Sequence, residues 1–230
     1  MRRFSKNIFL LTMAGCAQFV LLTFLAMLAY PGGTYQEPSA QGYQFFRNFF
    51  SDLGLSQTYS GGPKTISFLL FVIALTLAGV ALVLFFLFAP PLFKKRRMAY
   101  GLSIIGAVFG ILSGLSFIGV AVSPADLYLS LHGTFVQLAF IFFFVAVIFY
   151  LPAVLLTPHY PNVYAWIYLA FAVLLAGYIW LLFNGPDFTS SQGMLIQATG
   201  QKVIVYAAIL TMFVQAYGAW QLQISTNSET

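Results

Sequence analysis

Charge is so scarce in this chain that every ionisable side chain invites a chemical reading: 230 residues hold ten Lys or Arg, five Asp or Glu and two His. The densest group falls in FFRNFFSDLGLSQ, residues 45–57, where Arg47, Asn48, Ser51 and Asp52 stand among four phenylalanines. Ser51 beside Asp52, with His132 folding nearby, would supply a hydroxyl, a base and an orienting carboxylate. Arg47, Asp52, His132 and Lys202 together would instead suit the mixed charge of a zwitterionic or phosphate-bearing head group above an apolar cavity. A third reading is structural, with Arg47 and Asp52 satisfying backbone ends and one another in a wet interface.

The elements that must position these groups follow from composition. Sixty per cent of the residues are apolar and 7% charged, against roughly 25% charged in a soluble domain. Apolar runs at 8–30, 65–89, 99–122, 131–155, 162–183 and 203–223 each reach the roughly 20 residues that a helix needs to cross about 30 Å of hydrocarbon. Their continuous apolarity excludes barrel strands, which alternate over about ten residues. The expectation is an all-α, polytopic membrane protein: one domain over 1–230, built as a bundle of six transmembrane helices.

Arg2, Arg3 and Lys6 precede the first span, and KKRR (94–97) joins the second to the third. Basic residues near span ends resist translocation, so both segments are assigned to the cytoplasmic side of a plasma membrane. Six spans return the C-terminus to that side. The net charge of +5 then reflects topology rather than nucleic-acid binding, and KKRR could also hold anionic lipid head groups. On the outer side lie the loops 31–64, 123–130 and 184–202, each with one aspartate: Asp52, Asp126 and Asp187. The remaining acids are Glu37 and Glu229.

Within 45–57, Phe45, Phe46, Phe49, Phe50 and Leu53 share one helical face and Arg47, Asn48, Ser51 and Asp52 the other. A short interfacial helix is expected, with Arg47 near Ser51, Asn48 near Asp52, and Gly54 ending it in a left-handed conformation. SPAD (123–126) reads as a helix start, with Ser123 as N-cap and Asp126 at the positive helix end. NGPD (184–187) reads as a turn. His132 calls for a partner, either backbone, Tyr128 or a ligand.

Zinc takes three or four ligands from His, Cys and carboxylate. His132 alone of the His and Cys residues lies on the outer side, since His159 falls in TPHYPN and Cys16 in the inner half of the first span. No metal and no cofactor is therefore expected, and three aspartates without diagnostic spacing do not require calcium. No nucleophile elbow, HExxH, phosphate-binding glycine loop or dinucleotide fingerprint is present. MRRFSKNIFLLTMAGC resembles a lipoprotein signal, but AQFVLLTFLAMLAY beyond Cys16 stays apolar, so an uncleaved helix is expected. A single cysteine allows no internal disulfide.

Gly106, Gly110 and Gly114 recur every four residues in the third span, which lines them along one face for close helix packing, inside the bundle or in a dimer. Gln18, Gln137 and Gln215 are expected to face the bundle. Tyr30, Tyr100, Tyr150, Trp166, Trp180 and Trp220 read as interfacial anchors.

FFSDLG after the first span, HGTFVQLAFIFF opening the fourth and GQKVIVY opening the sixth resemble the bacterial and archaeal membrane family catalogued as domain of unknown function 998. The residues that carry the resemblance are Ser51, Asp52, Leu53, Gly54, His132, Gly200 and Lys202. A more distant similarity is to DRAM-type membrane proteins. Both imply the fold and the place of a site, and neither implies a reaction. The alkaline ceramidase and adiponectin-receptor superfamily is similar in placing Ser, Asp and His in a membrane, but its seven helices and its histidine set are absent from this sequence.

The expected function is a membrane protein that binds a lipid or small amphiphile at an outward polar site drawn from Arg47, Ser51, Asp52, Asp126, His132 and Lys202. A membrane-embedded hydrolase using Asp52 and His132 is the alternative, and a transporter the third. Membrane lipids are the expected partners; nucleic acid is not expected, and no oligomer is specified.

Overall fold

The computed structural model describes residues 2–228, with side chains from 7 to 224. The side chains of Arg2, Arg3 and Lys6 and the whole of Glu229 lie outside the described residues. Six helices follow in order: α1 (Arg2–Leu28), α2 (Thr65–Phe88), α3 (Arg97–Val122), α4 (Leu129–Leu155), α5 (Val163–Asn184) and α6 (Ser191–Ser228). Short 3₁₀ turns occupy Ser51–Gly54 and Pro90–Phe93. Two isolated bridges, Gly32 with Gln41 and Gln57 with Pro63, are the only β pairing among the described residues.

All six helices are long and apolar enough to cross a membrane. The chain is a multi-pass integral membrane protein, because hydrocarbon offers no partner to backbone N–H and C=O groups and a helix pairs them internally. Five spans begin and end close to their expected places. The sixth does not: α6 starts at Ser191 rather than at 203. Its first turns, SQGMLIQATGQK, are too polar for a hydropathy pattern, yet Met194, Ala198 and Lys202 are buried against other elements of the protein.

Each helix packs on its neighbour in sequence, and α6 closes on α1. The result is a ring. The start of α1, the end of α6 and the connections 89–96 and 156–162 lie on one face, and the loops 29–64, 123–128 and 185–190 lie on the opposite face, called here the long-loop face.

The α3 glycines are used inside this ring. A Cβ at Gly106 would meet the Tyr150 ring at 2.6 Å, one at Gly110 would overlap the Phe86 ring, and one at Gly114 would meet the Gly79 carbonyl at 2.8 Å. The stripe thus lets α3 approach both α2 and α4, the internal alternative rather than the dimer. Gln18 donates to the Gly15 and Ala74 carbonyls and Gln215 to the Tyr164 carbonyl, as bundle-facing amides should. Gln137 departs from the expectation. Its side chain is exposed on the outside of α4, and no contact in the structure explains its polarity there.

Tyr150 is another departure, since it is no interfacial anchor. It is 1% exposed, at the centre of an aromatic cluster with Phe85, Phe86, Phe93 and Tyr168. Four aromatic rings around it outweigh the preference of a phenol for the interface.

Candidate functional site

The loop 29–64 folds over the mouth of the ring around one amide. Asn48, fully buried, donates from Nδ2 to the Gly33 carbonyl (2.9 Å) and to Asp52 Oδ2 (2.9 Å), and its Oδ1 accepts the Gln44 N–H (2.9 Å). Asp52 also accepts the Phe49 N–H (3.0 Å) and the Tyr59 hydroxyl (3.0 Å). The pairing of Asn48 with Asp52 is the expected one.

The helix that was to carry it is much shorter than expected: only Ser51–Gly54 form a 3₁₀ turn. The reason lies in competition for donors. The N–H groups of Phe49 and Phe50, which a helix would send to carbonyls four residues back, go to Asp52 Oδ2 and to Gln201 Oε1 (2.7 Å). The phenylalanines accordingly do not share a face, for Phe50 is buried while Phe45 and Phe46 are exposed. Gly54 has no left-handed conformation. It is needed because a Cβ there would meet the Phe71 ring at 2.6 Å.

Two lysines lock this cap onto the helices. Lys64, just before α2, donates to the carbonyls of Asp52 (2.5 Å), Leu53 (2.8 Å) and Leu55 (3.1 Å), which uses all three of its donors. Lys202 reaches from α6 to the carbonyls of Asn48 and Ala198. The rings of Tyr43, Phe45 and Phe50 surround its ammonium at 5.4, 5.2 and 5.7 Å, an arrangement favourable to a cation. Asp52, Lys64 and Lys202 are 4%, 3% and 2% exposed, so water solvates none of them.

Burial shifts the ionisation of the cap. It pushes the Asp52 carboxyl above its ordinary value, against hydrogen bonds from Asn48, Tyr59 and Phe49 and the charge of Lys202. It pulls Lys64 down to about 8, against the attraction of Asp52 and Asp126. The phenols of Tyr30, Tyr43 and Tyr59 are pushed upward by burial and by the neighbouring Asp52 charge.

The other expected site residues are placed elsewhere. Arg47 turns away from Ser51 and donates to Ser191 Oγ (3.2 Å) at the start of α6, because the chain at 45–50 turns instead of coiling. SPAD does not begin a helix: α4 starts at Leu129, and Ser123 closes α3 by donating to the Gly119 carbonyl (2.7 Å). Asp126 instead accepts the Ser56 N–H (2.9 Å), the Ser56 hydroxyl (2.5 Å) and the Gln57 N–H (3.2 Å). Partial burial raises its pKa, but those hydrogen bonds outweigh burial and leave it lowered. Asp126 thus fastens the second loop of this face to the first.

His132 is satisfied by backbone, its Nδ1 lying 2.6 Å from the Ser123 carbonyl. No hydrogen bond joins it to Asp52. Asp187 accepts the Thr189 N–H (2.9 Å) within the expected turn. No group of three or more His, Cys, Asp or Glu among the described residues could hold a metal ion.

Beneath the cap, inside the ring, lies a cavity of ≈ 90 Å³, several times the roughly 10–15 Å³ that one water needs by the same measure. Five of the six helices and the cap line it, α5 contributing nothing. Its walls are apolar, among them Phe19, Leu75, Phe117, Val136, Phe140 and Met212. Along α6 it runs from Gln201 to Met212, about 16 Å of helix. Ser51 and Gln201 form its polar end. Gln201 Oε1 is engaged by Phe50, while among the described residues the Gln201 Nε2 and the Ser51 hydroxyl donate to nothing.

Ser51 was among the expected site residues; Gln201, Lys64 and Tyr59 were not. A signal for Lys64 existed. With Arg47 and Lys202 it is a cation on the face that topology depletes of cations, where each must have a specific use. Comparison of the chain with family models, with curated proteins and with solved structures finds no match.

Proposed function

We propose that this membrane protein binds a single-chain amphiphile in the cavity inside its helix ring. The tail lies among Phe19, Leu75, Phe140 and Met212, and the polar end at Ser51 and Gln201. One observation carries the reading: an apolar pocket ends at two donors, the Ser51 hydroxyl and the Gln201 Nε2, that bond to none of the described residues. Asp52 and Lys202 support this site without touching the ligand, because their polar atoms are committed to the cap.

The hydrolytic alternative finds less support, since the His132 ring is bound to Ser123 and the Asp52 carboxylate to Asn48, Phe49 and Tyr59. The motifs behind the family resemblance fit the binding reading in part: SDLG and GQK both fall on the cap. Basic 94–97 supports a plasma-membrane orientation with both termini cytoplasmic.

Native mass spectrometry of gently solubilised protein tests the proposal. Wild type should carry a bound amphiphile of defined mass. Ala208→Phe, which fills the cavity, should carry none, and Ser51→Ala should weaken retention by roughly fivefold to tenfold, the worth of one hydrogen bond. A wild type free of ligand, or equal retention in Ala208→Phe, would remove the proposal.

A further inference from the structure

A second apolar depression lies between α5 and α6, apart from the central cavity. It is a groove of ≈ 740 Å³ lined by Leu174, Gly177, Leu181, Leu195, Gly200 and Ile204, with Phe46 at its upper end. Along α6 it runs from Leu195 to Ile204, about 13 Å. That depth is close to half of the roughly 30 Å hydrocarbon core, the reach of one leaflet.

What stands above the groove is a cation with spare donors. Arg47, next in sequence to Phe46, is exposed on the long-loop face and donates one Nη1–H to Ser191 Oγ, its one hydrogen-bond partner among the described residues. Ser191 lies one helical turn above Leu195 on the same side of α6. Asp187, four residues before Ser191, accepts the Thr189 N–H. A guanidinium has five N–H groups in a planar fork suited to phosphate, so most of this fork is unspent.

We infer that Arg47 and the α5–α6 groove form a binding site for one glycerophospholipid of the leaflet on the long-loop face. Its phosphate pairs with the Arg47 guanidinium beside Ser191, and an acyl chain lies along Gly177 and Gly200. The absence of a side chain at Gly177, where a Cβ would meet nothing within 4 Å, leaves the room that the chain fills. Arg47 is an exposed cation on a face whose other exposed charges, Glu37, Asp126 and Asp187, are acids, so an anionic head group is drawn to the guanidinium, which pairs with phosphate and not with an uncharged head group. The site is separate from the central cavity, since α6 presents Gln201, Val205 and Ala208 to that cavity and Thr199, Val203 and Ile204 to the groove.

The test is competitive lipid retention. Protein in nanodiscs of equal parts phosphatidylglycerol and a diglycosyl diacylglycerol is released gently and weighed by native mass spectrometry. Wild type should retain one phosphatidylglycerol, preferred by about tenfold or more over the glycolipid, the scale of one charge-assisted hydrogen bond. Arg47→Gln should abolish the preference, and Arg47→Lys should keep part of it. Gly177→Phe should lose the lipid altogether; a Cβ at Gly177 meets nothing within 4 Å, so this change fills the groove without crowding the fold. Ala208→Phe should leave retention unchanged, which separates this site from the cavity. Equal retention of both lipids by wild type overturns the inference. So does a dimer without phospholipid, which would make the groove a seat for a second copy.

Discussion

Lys64 is the residue on which the cap depends most directly. Its ammonium gathers three carbonyls at the end of the 3₁₀ turn, and burial holds its pKa near 8 against an ordinary 10.5. The unfolded chain therefore binds more protons than the folded one between those two values, so Lys64 makes stability rise as pH climbs from about 8 to 10.5. Thermal melts in detergent from about pH 8 to 9.5, below the range where the buried phenols oppose it, should show the rise in wild type and a clearly smaller one in Lys64→Gln. A slope unchanged in the variant would assign it to another group. Sequence reasoning reached the pairing of Asn48 with Asp52, which local spacing dictates. It could not reach Lys64, Tyr59 or Gln201, because each meets the cap only through the path of the loop. Nor could it foresee that the Asp52 carboxylate would take backbone donors from its own helix.

At the level of elements, the all-α architecture was legible because bilayer thickness and backbone pairing leave a 20-residue apolar run few alternatives. The start of α6 was illegible for the converse reason. A polar turn buried against protein carries no hydropathy signal, although Lys202 within it anchors the loop. The glycines of α3 were legible from spacing alone, and their use can be measured. Gly110→Leu forces a side chain into the Phe86 ring, and overpacking of this kind costs roughly 1–3 kcal/mol. Reversible unfolding in mixed micelles should show that loss, whereas Gly101→Leu, at a position where a Cβ meets nothing within 4 Å, should be close to neutral. Equal losses at both positions would point to helix backbone effects rather than to the α2–α3 contact.

For the whole molecule, the long-loop face is sealed by side-chain and backbone hydrogen bonds, and the opposite half of the ring by rings. Phe93 stacks on Tyr160 at 5.8 Å, and Phe9, Phe85, Phe86 and Tyr150 crowd the space beside them. The cavity between is bounded at one end by polar groups and at the other by an aromatic core. None of this enclosure could be read from separate spans, because it depends on how helices distant in sequence meet. The contact of α1 with α6 is the clearest instance. These two helices run in opposite directions across the bundle, so the start of α1 and the end of α6 emerge on the same face. The bundle is thus a closed cycle of helices, with α1 and α6 meeting at its seam. A circular permutant in which a flexible linker runs from the end of α6 to the start of α1, opened instead in the 156–162 turn, should keep every helix in place and melt within a few degrees of the parent.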